Sequence, residues 1–168
     1  MKKLIFLLMA LVSITVYSQN LSLSELMSLR KMSLEDTENY LSNRGWQYKE
    51  GEEESEDKFG LLSFVYGTNG DFEFAESFLY KMYSTYGEDR ISIQISKQQK
   101  YLEYLNAVKK FNAKLLKTAT SDGYLVKIYQ AATTTFIFKT GTSSNNLGDT
   151  KSMWILSIWS NEDFNSQL

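Results

Sequence analysis

The stretch from Lys97 to Ser160 constrains the fold most, because its hydrophobic period changes along the way. It begins with apolar residues at spacings of three and four, which share one face of a helix: Tyr101, Leu102, Tyr104, Leu105, Val108 and Phe111. Further on, Tyr124, Val126 and Ile128 recur at every second position, which is the period of a β-strand. The stretch therefore predicts one helix that covers an antiparallel sheet.

The first half of the chain predicts the same order of elements. Ser22 and Glu25 fit a capping box that opens a short helix, and Ser33 opens a second one. Four strands are predicted after each helical part, at 46–50, 59–66, 77–84 and 90–96 and again at 113–118, 124–130, 133–140 and 153–160. We therefore predict an α+β fold of two tandem α-β-β-β-β units, 19–96 and 97–168, in one domain with the helices on one face of the sheet.

Two segments are predicted to be loops. Residues 50–57 hold six acidic side chains in eight positions, and their mutual repulsion favours a solvated loop. Residues 141–151 are rich in Ser, Asn, Gly and Thr, which is typical of a long polar loop between two strands.

The first eighteen residues have the pattern of a signal peptide. Lys2 and Lys3 precede an apolar core at 4–16, and Ser18 stands where a signal peptidase reads a small residue. We expect export with cleavage before Gln19, to the periplasm or outside the cell. The core is shorter than the ~20 residues that span a bilayer, so we expect no membrane span after signal cleavage.

Charge is distributed unevenly between the two halves. Residues 19–96 carry 7 basic and 15 acidic side chains, whereas residues 97–168 carry 9 basic and 5 acidic ones. Opposite fields favour docking of the halves onto each other, and a nucleic-acid binder would instead show one coherent basic face. We therefore expect no nucleic acid among the partners.

The composition excludes several catalytic classes. The chain has no His and no Cys, so the usual zinc, iron and copper ligand sets and the Ser-His-Asp and Cys-His arrangements are absent. No glycine-rich phosphate-binding motif occurs. We expect no metal, no cofactor and no enzyme activity. The open alternative is a small hydrolase that uses a carboxylate pair, for which the candidate acids outside the acidic loop are Glu73, Glu76, Glu88, Glu103 and Asp122, among others.

Strand alternation predicts one sheet face that is turned away from the helices. If Phe78, Tyr80, Met82 and the other members of their alternating sets point at the helices, the intervening residues point outward. That reasoning gives a predicted binding set of lysines and aromatics: Lys81, Tyr83, Lys127, Tyr129, Lys139 and Trp159, with Ile155 beside them. Aromatic side chains are enriched at interface hot spots. The alternative is that the tyrosines pack across strands and the lysines keep the surface soluble.

The predicted organisation resembles a known fold. Tandem units of a helix plus a four-stranded antiparallel sheet, in an exported chain without catalytic residues, resemble the β-lactamase inhibitor protein fold. The residues Phe111 to Thr118, Asp122 to Tyr124 and Thr135 to Thr140 also resemble small exported proteins of Bacteroidota-type bacteria. The resemblance implies a binding face on the sheet and leaves its ligand open.

The sequence thus favours a non-catalytic exported binding protein whose partner is a protein or an envelope component. The carboxylate-pair hydrolase is one alternative. The other is a structural subunit of an envelope assembly, which would associate through an uncovered edge strand.

Overall fold

The computed structural model describes residues 21–68, 70, 72, 75–144 and 150–168. The predicted signal segment, parts of the predicted turn at 67–71, Glu73 and the centre of the predicted polar loop lie outside the described residues. Within the described part, helices and strands combine into an α+β fold with one sheet.

The elements follow the predicted order, with one short helix added at the end. They are α1 (Leu23–Lys31), α2 (Leu34–Ser42), β1 (Gln47–Glu52), β2 (Gly60–Tyr66), β3 (Ser77–Tyr83), β4 (Arg90–Ile95), α3 (Gln98–Lys110), β5 (Lys114–Ser121), β6 (Tyr124–Gln130), β7 (Thr134–Ser144), β8 (Thr150–Ser160) and α4 (Asn161–Asn165).

All eight strands belong to one antiparallel sheet, in the order β1-β2-β3-β4-β8-β7-β6-β5. Each set of four consecutive strands forms a meander, and the two sets meet where β4 pairs with β8. The strands β1 and β5 are therefore the two edges of the sheet.

The register at the β4–β8 seam is symmetric. Ser92 lies opposite Ser157, and their hydroxyl oxygens are 2.6 Å apart. On one side of this pair Ile91 lies opposite Ile158, and on the other side Ile93 lies opposite Leu156. A two-fold rotation through the serine pair would therefore superpose the two strands.

The helices α2 and α3 end in the same way. A residue with positive φ follows each helix, Gly45 at 79° and Asn112 at 59°. The next backbone N–H then donates back to a buried helical residue, from Trp46 to the Leu41 carbonyl and from Ala113 to the Val108 carbonyl. Each helix end leads into an edge strand that carries a β-bulge, in β1 and in β5.

Helices α1, α2 and α3 pack on one face of the sheet, which we call the helix side. Here α1 and α3 lie on the central strands β4 and β8, and α2 lies on β1. The main core forms between them from buried apolar side chains on alternate strand positions, including Phe64, Leu79, Ile91, Ile93, Phe136, Phe138, Leu156 and Ile158.

The predicted caps of the first two helices are confirmed. The Ser22 hydroxyl accepts from the Glu25 backbone N–H at 3.2 Å, while the Glu25 carboxylate accepts from the Ser22 N–H at 2.7 Å. Burial raises the pKa of Glu25, but hydrogen bonds from Ser22 and from the Tyr40 hydroxyl outweigh it and hold the pKa below its ordinary value. This network joins α1 to α2.

Several predicted boundaries are wrong. Strands β7 and β8 continue to Ser144 and from Thr150, so the predicted loop at 141–151 is mostly a long hairpin. Strand β1 reaches Glu52, inside the predicted acidic loop. The Glu54 carboxylate in that loop accepts from the Ser84 hydroxyl at 2.8 Å and from the backbone N–H of the next residue, so it anchors the β3–β4 turn.

Candidate functional site

The face opposite α1, α2 and α3 is the candidate site, and we call it the open face. Cross-strand partners share a face, so the register defines its members. Across β2, β3, β4 and β8 they are Leu61, Ser63, Val65, Phe78, Tyr80, Met82, Arg90, Ser92, Gln94, Ile155, Ser157 and Trp159. No helix other than the short α4 packs on this side within the described part of the chain.

The centre of the open face is small and polar. Ser63, Tyr80, Ser92 and Ser157 follow one another across four neighbouring strands, and Gln94 lies on the same face of β4. Large apolar side chains border this band. Phe78 and Met82 stand on the β3 side and Ile155 and Trp159 on the β8 side, each half-exposed. The face is therefore a band of small residues between two apolar borders.

Two polar atoms on the open face are buried and have no hydrogen-bond partner among the described residues. They are the Ser63 hydroxyl and the Trp159 Nε1. Buried polar groups without a partner cost free energy, so each of these two atoms lowers the stability of the folded chain.

Tyr80 is the titratable side chain at the centre of the band. Burial raises the pKa of its hydroxyl, the Lys49 charge on β1 lowers it and the Glu50 charge raises it, so the net direction is upward. The phenol is thus neutral near pH 7 and keeps its proton as a hydrogen-bond donor.

One end of the open face is fixed by Arg90. Its guanidinium lies 3.9 Å from the ring centroid of Trp159 and 4.2 Å from that of Phe59, so it is sandwiched between two rings. It also donates two hydrogen bonds to Asp163, from Nε at 2.6 Å and from Nη2 at 2.7 Å. Because Asp163 belongs to α4, this bidentate pair ties the last helix to the sheet.

Helix α4 covers the part of the open face that lies over β6, β7 and the end of β8. Its Phe164 is buried against Val126 and Ile137 and meets the Trp159 ring edge-on, with centroids 6.2 Å apart. On β2, β3, β4 and β8, Ser63, Val65 and Ser92 are buried, and the other members of the open face are partly exposed to solvent.

The prediction that Lys81 points outward is wrong. Its side chain is 0% exposed and lies on the helix side. Its Nζ donates to the carbonyls of Leu29 at 2.9 Å, Arg30 at 3.2 Å and Met32 at 2.7 Å, and it lies 2.9 Å from an Asp89 carboxylate oxygen. The charge is buried because it satisfies the unpaired carbonyls at the C-terminal end of α1.

Three other predicted residues also lie on the helix side. Tyr129 is 7% exposed and belongs to the main core, where its ring meets Phe138 edge-on at 5.8 Å. Lys127 pairs with Phe138 on the same face and is half-buried. Tyr83 shares the face of Lys81, packs on Gly60 and donates to a backbone carbonyl of β1. Their predicted outward orientation is therefore wrong.

Lys139, Ile155 and Trp159 do lie on the open face, as predicted. Lys139 pairs with Val126 and with Ile155, and it is exposed. The structure thus brings only the β7 and β8 members of the predicted set together. The sequence-based prediction exchanges the two faces of β3 and β6. For the same reason it places Phe78, Tyr80 and Met82 in the core, whereas they lie on the open face.

The central residues of the open face were not found from the sequence. Ser92 and Gln94 alternate with isoleucines along β4, which predicts a solvated face, but no local pattern joins them to β8. The contact of Arg90 with Asp163 spans most of the second half, and its partner helix was not predicted. An arginine at the start of a short strand shows no sequence pattern that identifies its distant partner.

The fold and the open face together define an α+β protein with an eight-stranded antiparallel sheet and three helices on one side. No family model, no curated protein and no solved structure matches the chain.

Two features are absent from the described residues. None of their helices has the length and apolar character needed to cross a membrane. No group of three or more acidic residues among them is arranged to hold a metal ion.

Proposed function

We propose that this chain is a non-catalytic, exported binding protein that holds a protein or envelope partner on the open face. The observation that carries the proposal is the row of half-exposed Phe78, Tyr80, Met82, Ile155 and Trp159 around a polar centre. Monomeric proteins rarely leave an apolar patch of this kind on one sheet face without a partner.

The proposed contact has anchors of two kinds. Tyr80 and Trp159 offer large rigid surfaces with a hydrogen-bond donor, as interface hot spots commonly do. Arg90 is held between two rings and its charge is paired with Asp163, so it holds the Trp159 ring in place and lowers the entropic cost of binding there. Lys139 adds a mobile charge at the other side of Ile155.

We also propose that the two halves are tandem copies of one α-β-β-β-β unit. The symmetric register about Ser92 and Ser157, the matching ends of α2 and α3 and the bulge in each edge strand support this proposal. Duplication of a unit with one uncovered sheet face would produce a continuous face twice as wide. The β-lactamase inhibitor fold remains the resemblance that the sequence suggested.

The binding proposal is tested by site-specific photo-crosslinking in producing cells. A photoreactive phenylalanine analogue replaces Tyr80 on the open face, and the matched control places it at Tyr86, which is 85% exposed in the β3–β4 turn. We expect a crosslinked envelope protein at Tyr80 only, identified by mass spectrometry.

The identified partner is then purified and its affinity measured with Ile155→Ser and with Leu102→Ser, an exposed residue on α3 as the control. Only the first substitution should weaken binding, by about tenfold for a central apolar contact. Equal crosslinking at both tyrosines, or equal affinities of the two variants, would exclude the open face as the binding surface.

A further inference from the structure

The end of α3 and the start of β5 form a second distinctive surface, which we call the basic corner. It consists of residues 109–117, and the seven members used below are Lys109, Lys110, Phe111, Lys114, Leu115, Leu116 and Lys117. All seven side chains are exposed, and the three large apolar ones are 53%, 54% and 55% exposed, respectively. No acidic residue lies between Glu103 and Asp122.

The four lysines of the basic corner make no ion pair within the described part of the chain. Elsewhere, Lys49, Lys58, Lys97 and Lys100 each lie within 4.0 Å of a carboxylate. The corner therefore presents positive charge that no neighbouring acid in that part neutralises, next to apolar groups that are each more than half exposed.

The helix side leaves this corner bare for a structural reason. Helix α3 packs mainly on β8 and β4, toward the centre of the sheet, so it leaves the edge strand β5 largely uncovered. At the corresponding place in the first half, α2 lies on β1 and Trp46 is buried at 2% exposure. The sequence there continues with Glu50 and Glu52, so that edge is acidic.

The edge strand itself is poorly suited to accept another strand. A bulge interrupts its register between Leu115 and Lys117, and two of its side chains are lysines. Bulges and lysines are the usual features that protect a sheet edge from strand addition. A broad anionic surface fits the corner better than an extended peptide does.

We propose that the basic corner docks this protein onto an anionic lipid bilayer surface. Phe111, Leu115 and Leu116 would enter the boundary between headgroups and acyl chains, and the lysines would lie among the lipid phosphates. The acidic β1 edge lies seven strand spacings away, or about 34 Å, and is repelled by the same surface. By strand register Lys114 and Lys117 lie on the open-face side of β5 and Leu115 lies on the helix side, so the edge of the sheet points at the lipid. The part of the open face over β3, β4 and β8 stays accessible in this orientation.

The test is co-sedimentation of the purified exported protein, with the absence of residues 1–18 verified by mass spectrometry, with lipid vesicles. Neutral phosphatidylcholine vesicles are compared with vesicles that contain about 30% phosphatidylglycerol. We expect binding to the anionic vesicles only, and loss of that binding when the salt concentration rises from about 0.05 M to about 0.5 M.

The double variant Lys114→Gln/Lys117→Gln should bind about thirtyfold more weakly, because each lysine near an anionic surface contributes roughly a factor of five. Leu116→Ser should weaken binding about tenfold, because it removes an inserted apolar group. The matched control is Lys31→Gln/Lys151→Gln, which removes two exposed lysines elsewhere and should leave binding unchanged. Circular dichroism of each variant verifies that it is folded.

Three results would overturn the proposal. They are equal binding to neutral and anionic vesicles, equal loss in the control and corner variants, and failure of the wild-type protein to bind either vesicle. Concentration-dependent self-association that the corner variants abolish, without vesicle binding, would assign the corner to a second copy instead. None of these results bears on the open face, so the two proposals can fail separately.

Discussion

Replacement of Lys81 by Met should destabilise the protein more than any other single change to a charged side chain. Methionine keeps nearly the same length and volume, so the core packing is preserved while the charge and its donors are lost. Three carbonyls at the end of α1 then lose their common donor, and the Asp89 carboxylate loses its cation.

The magnitude follows from those contacts. Hydrogen bonds to a charged group contribute roughly 1.5–3 kcal/mol each, but the carbonyls recover part of this by local rearrangement or hydration. Removal of one member of a buried ion pair costs about 3–5 kcal/mol. We expect a loss in the free energy of unfolding of about 3–5 kcal/mol, a large part of the 5–15 kcal/mol that is typical of a folded domain.

Urea denaturation, followed by tryptophan fluorescence, measures this loss. With a slope of about 2 kcal/mol per molar urea, the midpoint should fall by about 2 M. Lys127→Met is the matched control, because Lys127 also lies on the helix side but is only half-buried and makes no hydrogen bond or ion pair with the described residues. It should change the midpoint by less than about 0.3 M.

Asp89→Asn distinguishes the contribution of the Lys81–Asp89 ion pair to stability from that of the hydrogen bonds that cap α1. It leaves the three carbonyl contacts of Lys81 in place but removes the anion beside the buried charge, so it should cost about 2 kcal/mol, less than Lys81→Met. A loss of less than about 1 kcal/mol in Lys81→Met, or a larger loss in Asp89→Asn than in Lys81→Met, would refute the explanation of the buried lysine as a helix cap.

Three further results are expected. Asp163→Asn should release α4 and cost about 2 kcal/mol, because Arg90 keeps its contacts with the two rings but loses its bidentate anion. Limited proteolysis should then cleave the C-terminal helix faster than in the wild type, and an unchanged rate of cleavage would contradict this expectation. Glu25→Gln should cost about 1 kcal/mol at pH 7. Since the folded pKa lies below the ordinary 4.5, this stability is present above that pH and disappears as the pH falls, so wild type and variant should converge in acid unfolding curves. Gly45→Ala and Asn112→Ala should each lower the free energy of unfolding by about 1 kcal/mol in thermal unfolding, because both positions have positive φ. No change in stability at either position would contradict the claim that α2 and α3 end in the same way.

The order of elements was predictable because it depends on local signals. The capping box at Ser22 and Glu25, the helical period after Lys97 and the alternation at Ile91, Ile93 and Ile95 each operate within a few residues. These predictions are confirmed. The tandem arrangement stays a proposal, because a single sheet contains all the strands.

The faces of β3 and β6 were not predictable from their own sequences. In both strands, each of the two alternating sets of residues contains apolar side chains. The alternation therefore identifies a strand, but it does not show which set faces the core. Alternation with Tyr80 and Met82 predicts that Lys81 points outward, yet Lys81 lies inside because a helix end from fifty residues earlier supplies its acceptors. That acceptor site exists only once α1 has packed on the sheet.

The sequence by itself determined the class of fold, the positions of most helices and strands and the absence of His and Cys chemistry. Only the tertiary structure decided which side chains share the open face, which lysine caps a helix and where Arg90 finds Asp163. The physical reason is the range of the interactions: hydrogen-bonded turns and periodic burial operate between near neighbours, whereas strand phase and buried charge depend on partners that the chain brings together only when it folds.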